Sequence, residues 1–504
     1  MACIFGSKHL FILVEERLGV SMEIQALNPL LLSIVLPLGL SPIAAFIGRL
    51  LHPKGAGIFA TTALFFPMLF SILLYPVISA GFIVEERLRW IPELGLTFTL
   101  RLDQLSYPFF LLINSVGFLA SLYSLRYMEH ERGLASYYAL TMMFVSGMSG
   151  VVLSTNLFLL YIFWELMLIP SYFLIAYWGT GNARIIGFKY FGMTHVGAIS
   201  LLAGIIWLNS LFGSVELDIL KVVVGGGSPA MLGIASLIFI GAAVKMALFP
   251  LHTWLPDAHA EAPTPISVLL SGVMIKTGVY AYARIIVELM PAAFQQAQPI
   301  VIPLSLVTIF WGGMMALVQS DIKRILAYSS VSQIGYMVFG LSLQSSIGLV
   351  GGLLHVVTHG LAKSLLFMAA GSIIHSTGER DINKLGGLMR PMWFTASVFL
   401  VGGLSIAGTP PLAGFFSEWM IFTGGFQSNI PLYTIIAILG TAITLGYYLR
   451  TFMYVFTRGE RQDSPREAPL SMAAPMAILA AAILLASITT PPITSILGAA
   501  VLKP

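Results

Sequence analysis

The stretch AAVKMALFPLHTWLPDAHAEAPTPIS, residues 242–267, sets Lys245 at the end of an apolar run and follows it with Pro250, Pro256, Pro263 and Pro265. Proline lacks an amide donor and clashes with the preceding turn, so a helix passing through this stretch breaks just beyond the lysine. In hydrocarbon, carbonyls freed by such a break are tolerated only where they line protein or a water-filled cavity. A broken spanning helix beside a buried lysine therefore points to a hydrated site inside a membrane protein. The second half has a counterpart in SIAGTPPLAGFFSEWMIF, residues 405–422, with a break at Gly408 to Pro411 and Glu418 two turns later. Two interrupted helices at corresponding places are the sequence pointer to inverted repeats around a midplane ion path.

Outward from these breaks the chain stays apolar. Of its 504 residues, 57% are hydrophobic and 10% charged, against roughly 45–50% and about 25% in soluble domains; mean hydropathy is +0.90. No soluble catalytic domain fits such a chain, and ~30–35 residues per span and loop predicts about fourteen helices. The fold expected is an all-α polytopic membrane protein. Its spans lie near 28–49, 55–84, 103–125, 136–154, 156–178, 187–211, 229–249, 264–290, 298–319, 325–343, 346–374, 392–425, 431–456 and 468–495, numbered 1 to 14 below. Spans 4–8 (within 128–290) are set against spans 9–13 (within 291–456) as two five-helix repeats, with spans 7 and 12 broken. Spans 1–3 form a peripheral region, 28–127, and 457–504 holds the last helix, with no further tail expected. Leu88 to Asp103 has the length and alternation of a short β-hairpin at the interface. Residues 1–27 carry too short an apolar run to span; Met22 is an alternative start and no function is placed there.

The odd-numbered loops hold most of the Lys and Arg, among them Arg49, Lys54, Arg184, Lys189, Lys323, Arg324, Arg380 and Arg458, whereas the even loops hold only Arg87, Arg89, Arg101 and Lys221. A multi-pass protein of the cell membrane with cytoplasmic odd loops and both termini outside is expected. A net charge of +4 is too small to mean nucleic acid. The single cysteine, Cys3, excludes disulfides, Cys-ligated iron–sulfur clusters, CxxC pairs and CxxCH haem attachment within this chain. GxxxxGK[ST], GxGxxG after a strand and HExxH are all missing, so nucleotide and zinc-hydrolase chemistry has no support.

Removing loop charges leaves Glu165, Lys245, Lys276, Lys363 and Glu418 inside spans, with His195, His355 and His359. A charge at the bilayer centre costs ~2.5–3.5 kcal/mol, so such residues face an interior and act there. A proton relay is one reading; ion pairs that glue helices together are the other. Lys and Glu suit a relay because burial and mutual separation tune them: opening a pair from about 4 to about 8 Å at an effective dielectric of ~20 changes its energy by ~2 kcal/mol. His355 and His359 share a helix face with Lys363 in an H-x3-H-x3-K stripe, where the lysine would repel a cation, so proton relay fits better than metal binding. His195 is a relay member or a packing histidine. His252 and His259, near Asp257 and Glu261, form the polar mouth of a pathway or tie the loop. Arg284 and Arg450 fall near span ends and are expected to snorkel to the surface.

These motifs carry a resemblance. KMALFPLHTWLPDAHAEAPTPISVLLSGVMIKTGVY (245–280) resembles the signature of the antiporter-like membrane subunits of the complex I superfamily. SDIKRILAYSSVSQIGYM (320–337), FFSEWM (415–420), LYIFWELMLIPSYFLI (160–175) and RLDQLSYPFFLLINSVGFLASLYS (101–124) support it, and it covers residues 28–456. The resemblance implies that Glu165 pairs with Lys245, that Lys276 connects the two halves and that Glu418 ends the relay, where many members have lysine. The segment HVVTHGLAKSLLFMAAGSIIHSTGERDINKLGGL, with Lys363, is more similar to the cation/proton antiporter and membrane-bound hydrogenase branches. What this implies is a subunit translocating H+, or Na+ against H+, in a membrane-bound oxidoreductase of the hydrogenase, formate-hydrogen lyase or sulfane-sulfur reductase type. Its partners would be other membrane subunits, lipids and a peripheral redox arm holding iron–sulfur and possibly nickel–iron centres, with neither cofactor nor metal on this chain. The same-family alternative is a subunit of a multisubunit Mrp-type Na+/H+ antiporter without a redox module. A stand-alone solute carrier and a purely structural membrane anchor are the readings from other classes.

Overall fold

The computed structural model describes residues 28–50, 53–91, 96–224, 229–459 and 465–501, so the N-terminal segment 1–27 lies outside the described residues. Apart from one hairpin the described chain is built of helices and their connections. Among the described residues, twelve helices are long and apolar enough to cross a membrane. All fourteen expected spans have a helical counterpart; spans 10 and 12 are the two that fall outside the twelve. Span 10, Ile322–Leu341, carries Lys323, Arg324 and the polar run Tyr328, Ser329, Ser330, Ser332, Gln333, and nearly all of it is buried between other helices. Span 12 is divided into Trp393–Ile406 and Ala413–Gln427, each short. Span 14 likewise comprises Leu470–Ile488 and Thr490–Val501.

The hairpin joins β1, Val84–Ile91, to β2, Leu96–Leu102, antiparallel with Val84 opposite Leu102 and Leu88 opposite Phe98. It begins four residues before Leu88 because Glu85 lies opposite Arg101 in the register and pairs with it, at 2.6 Å, across the strands. Glu86, pointing the other way, accepts the Leu30 and Leu31 amides at 2.9 and 2.8 Å and thereby caps span 1, Pro29–Leu50.

The two helix breaks share one local geometry. Span 7 runs Pro229–Met246, turns through Ala247 at φ 60° and resumes as Trp254–Glu261. Span 12 turns through Gly408 at φ 63°. In the first, Ala247 N donates to Val244 O and Leu248 N to Ala243 O; in the second, Gly408 N donates to Ser405 O and Thr409 N to Leu404 O. Each break thus ends in one short and one wide backbone turn that absorb the last helical carbonyls.

Spans 8 and 11 form the centre. Span 8, Thr264–Glu288, has a π-helical segment at Leu270–Met274 and another at Tyr282–Glu288, on either side of the α-helical Ile275–Ala281 that holds Lys276. Span 11, Ser346–Thr377, crosses it where a Cβ on Gly360 would stand 3.0 Å from the Gly272 carbonyl oxygen. Only glycines permit that approach, as at small-residue crossings in membranes.

Candidate functional site

Span 5, Leu157–Trp178, starts at Asn156, whose side-chain oxygen accepts the Phe158 and Leu159 amides at 2.9 and 3.1 Å. Two turns in, Glu165 Oε2 lies 3.3 Å from His195 Nδ1 of span 6, and the imidazole stacks on Phe191 with ring centroids 5.3 Å apart. Lys245, 1% exposed, sits with Nζ 5.3 Å from the centre of the Trp164 ring. Its charge is within electrostatic range of Glu165, but among the described residues no ion pair within 4 Å joins the two. The partner that the resemblance implied for Lys245 therefore lies beside His195 here, outside ion-pair distance of the lysine, and the indole, one residue before Glu165, takes the place over the ammonium.

Lys276 is buried and donates to the Ser271 carbonyl, an oxygen of the adjoining π-helical segment. Ser271 Oγ meets Ser330 Oγ at 2.8 Å, which carries the polar line to span 10. His259, on the resumed half of span 7, is wholly buried between the Trp254 and Phe367 rings. Neither of its ring nitrogens has a hydrogen-bond partner among the described residues. Lys276, Lys323 and Lys363 are all close enough for their charges to act on it.

On span 11 the stripe divides its work. His355 Nε2 lies 2.7 Å from Gln333 Oε1 and its Nδ1 lies 2.9 Å from Ser417 Oγ. With that amide orientation Nε2 carries the hydrogen, while the Ser417 hydroxyl also donates to the Gly414 carbonyl at 2.8 Å. Lys363 Nζ donates to Leu326 O at 2.7 Å, to Tyr448 OH at 3.0 Å and to Ser329 Oγ. His359 lies between them, its ring centre 6.3 Å from that of His355, with both nitrogens unpartnered among the described residues. Glu418, beside Ser417 and 4% exposed, packs against the Gly408 break, and its Oε1 is also without a partner there. Among the described residues no three His, Cys, Asp or Glu side chains converge as metal ligands.

Several of these residues carried no recognised signal. Gln333, Ser329, Ser330, Ser417 and Tyr448 tie the row together; the run AYSSVSQIGYM, too polar for an ordinary span, is the signal that marks the first three, and Ser417 and Tyr448 lie on other spans. Lys323 counts as a loop cation by position, yet it is 4% exposed and donates to the Ala262 carbonyl at the end of broken span 7. Arg284 does not snorkel. It is 5% exposed and grips Asp103 with Nη2 at 2.6 and 2.8 Å, and the buried carboxylate of Asp103 keeps it inside although exposed Glu288 lies one turn on. Arg450 caps the end of span 9, Pro291–Val318, by donating to Leu317 O and Gln319 O. His252 accepts from Trp311 Nε1 at 2.9 Å and is a structural tie. Over the odd-loop face, Asp257 holds Lys189 and Arg324 while Arg380 reaches Glu261 and Asp321. Buried titratable side chains thus recur from Lys245 through Lys276, His259, His359, His355 and Lys363 to Glu418, with Glu165 and His195 partly exposed.

Comparison with known proteins agrees with this geometry. Residues 154–444, more than half of the chain, match the family described as NADH:quinone oxidoreductase/Mrp antiporter, TM, and residues 90–138 match NADH-Ubiquinone oxidoreductase (complex I), chain 5 N-terminus. A probable K(+)/H(+) antiporter protein of Rhizobium meliloti (strain 1021) is 38% identical over 431 residues, 82% of this chain and 42% of that protein. A Na(+)/H(+) antiporter protein of Staphylococcus aureus is 34% identical over 455 residues, 84% of this chain and 56% of that protein. Both are named as subunits of their antiporters, and the chain spans about half the length of these curated relatives. Among solved structures, the Mrp complex from Dietzia sp. DQ12-45-1b has a chain of the same fold, with TM-score 0.87 at 21% identity over 94% of this chain and 97% of that one. A chain of respiratory complex I from Thermus thermophilus gives 0.83 at 24% over 94% and 100%. The membrane-bound sulfane sulfur reductase, an archaeal respiratory membrane complex, gives 0.81 at 28% over 90% and 75%. The match across more than half of its length places the chain in the NADH:quinone oxidoreductase/Mrp antiporter transmembrane family, as one of its antiporter-like membrane subunits.

Proposed function

We propose that this chain translocates protons, alone or against Na+ or K+, through Glu165, His195, Lys245, Lys276, His259, His359, His355, Lys363 and Glu418. The observation that carries the reading is the row of buried polar atoms on Lys245, His259, His359 and Glu418 without a hydrogen-bond partner among the described residues. Leaving a buried polar atom unmet costs about 1–3 kcal/mol, so a row of them suits groups that meet water or a passing proton. Side chains kept only as helix glue would be paired with one another. The two similar breaks in spans 7 and 12 support an inverted-repeat arrangement in which each half supplies one broken helix to the path.

The chain works in this reading beside other membrane subunits in a multisubunit complex of the cell membrane, with odd loops cytoplasmic. A gradient-driven cation/proton antiporter is supported by relatives named as antiporter subunits at 38% and 34% identity. A redox-driven pump, with iron–sulfur centres on a peripheral arm, is supported by the 28% identity to the sulfane sulfur reductase chain. Metal analysis of the complex purified from its own membranes separates them: iron with cysteine-rich partners favours the pump, and small hydrophobic partners alone favour the antiporter. The test of the relay is Lys245→Ala in everted vesicles. Coupled ion movement, read by a pH-sensitive dye, is expected to vanish while the complex stays assembled; survival of coupling would sink the reading at its central residue.

A further inference from the structure

Lys245, Lys276 and Lys363 are all buried, yet their surroundings differ. Lys363 Nζ donates to oxygens of Leu326, Ser329 and Tyr448, and Lys276 Nζ donates to the Ser271 carbonyl. Lys245 Nζ has no hydrogen-bond partner among the described residues. What it has is an aromatic ring: the centre of the Trp164 indole lies 5.3 Å away, inside the ~6 Å over which a ring face attracts a cation. Trp164 is itself wholly buried, and its Nε1 also lacks a partner among the described residues. A buried indole N–H usually finds an acceptor, so no such bond sets this ring in place, and its face is what it offers the lysine. The titratable groups on the neighbouring elements are engaged with other partners. Glu165, within electrostatic range of Lys245, has Oε2 beside His195, and Tyr190 OH meets Ser171 Oγ. On span 8, Lys276, Tyr280 and Tyr282 bond to Ser271, Arg284 and Ser342. On the resumed half of span 7, Asp257 holds Lys189 and Arg324 while His259 packs between two rings. Span 9 brings no titratable side chain.

We propose that Trp164 is a positioning residue of the relay, its ring face serving as the charge partner of the protonated Lys245 side chain. The inference rests on the relay reading for its purpose. A ring face attracts the ammonium and cannot take its proton, whereas a carboxylate in the same place could accept that proton itself. Once the proton leaves, the attraction to the ring ends without any donor–acceptor bond having to break. Lys363, bonded to three oxygens, has no such freedom.

The test varies the ring and keeps the lysine. Trp164→Phe retains a weaker face, and Trp164→Leu, close to phenylalanine in bulk, has none. Coupled ion movement is followed across pH with the pH-sensitive dye in everted vesicles containing the complex. Loss of the ring removes attraction for the charged amine alone, so the midpoint of the alkaline limb is expected to move to lower pH. The expected shift is about half a unit to one unit in Trp164→Leu and less in Trp164→Phe. A tryptophan that only filled space would lower the amplitude in both variants and leave both midpoints in place. Assembly is checked by co-purification of the partner subunits. Should Trp164→Leu not assemble, fluorinated tryptophans placed at position 164 keep the shape and weaken the face with each added fluorine, and the midpoint is expected to fall with each. Midpoints that stay, rise, or move equally across the series overturn the proposal. Lys245→Ala separates the two readings. Coupling lost there with Trp164 midpoints unmoved sinks this inference and leaves the relay standing, whereas coupling that survives Lys245→Ala sinks both.

Discussion

Glu86 ties the hairpin to the first span, and that link is expected to weaken as pH rises. Its carboxylate is 3% exposed, and burial pushes its pKa from 4.5 up to about 7, against the opposing pull of the Leu30 and Leu31 amides. For an acid with a raised value, the folded state keeps its proton where the open state has lost it. Stability is therefore full below pH 4.5, falls between there and about 7, and is flat above. A shift of this size is about 3 kcal/mol, roughly a hundredfold in the equilibrium between the capped and open segment. Hydrogen exchange of the peptide holding Leu30 and Leu31, corrected for intrinsic rates, reads that equilibrium directly. Protection is expected to drop by up to roughly two orders of magnitude from pH 4.5 to 7.5, and Glu86→Gln, which cannot ionise, is expected to remove the slope. A wild-type profile that is flat, or a glutamine variant with the same slope, refutes the reasoning.

The crossing of spans 8 and 11 makes a second case. A Cβ on Gly360 would lie 2.4 Å from Leu112 Cδ2 as well as 3.0 Å from the Gly272 carbonyl oxygen, so Gly360→Ala is expected to destabilise the assembled complex by about 1–3 kcal/mol in thermal unfolding. Adding Leu112→Ala should recover part of that loss, a non-additivity that a clash elsewhere would not produce. Asn156→Ala removes the cap of span 5 and its 2.7 Å bond to Glu216, which should cost about 1 kcal/mol by the same measurement. The Lys245→Ala coupling assay tests the relay.

Much of the architecture was legible in the chain because hydrocarbon imposes one requirement everywhere. Backbone groups must be satisfied within each span, so long apolar runs read as helices and runs of proline read as breaks. The Pro250 and Pro410–Pro411 breaks, the hairpin before span 3 and the interior stripe of His355, His359 and Lys363 all follow from that rule. The rule is silent on which side a polar residue faces. Lys323 sits next to Arg324 at the start of span 10, yet one is 4% exposed and the other is partly exposed in a pair with Asp257. Arg284 looked like a surface anchor because distance along span 8 was counted without knowing that Asp103, from a remote segment, pairs with it inside. His252 and His259, seven residues apart in similar surroundings, differ in role because the indole of Trp311 reaches only the first.

What the sequence determined by itself is the composition of the interior. Charges too expensive to leave in lipid mark residues that face an interior, and runs of proline mark where helices are interrupted, since both arguments concern single residues measured against the solvent around them. Only the tertiary structure decided the pairings. Glu165 meets His195 while Trp164 covers Lys245, Gln333 and Ser417 hold His355, and Asp103 closes on Arg284 from a segment far away in the chain. The physical reason is distance: a hydrogen bond or an ion pair lives within ~3–4 Å, and the packing of the other helices around spans 8 and 11, not their order along the chain, sets which atoms come that close.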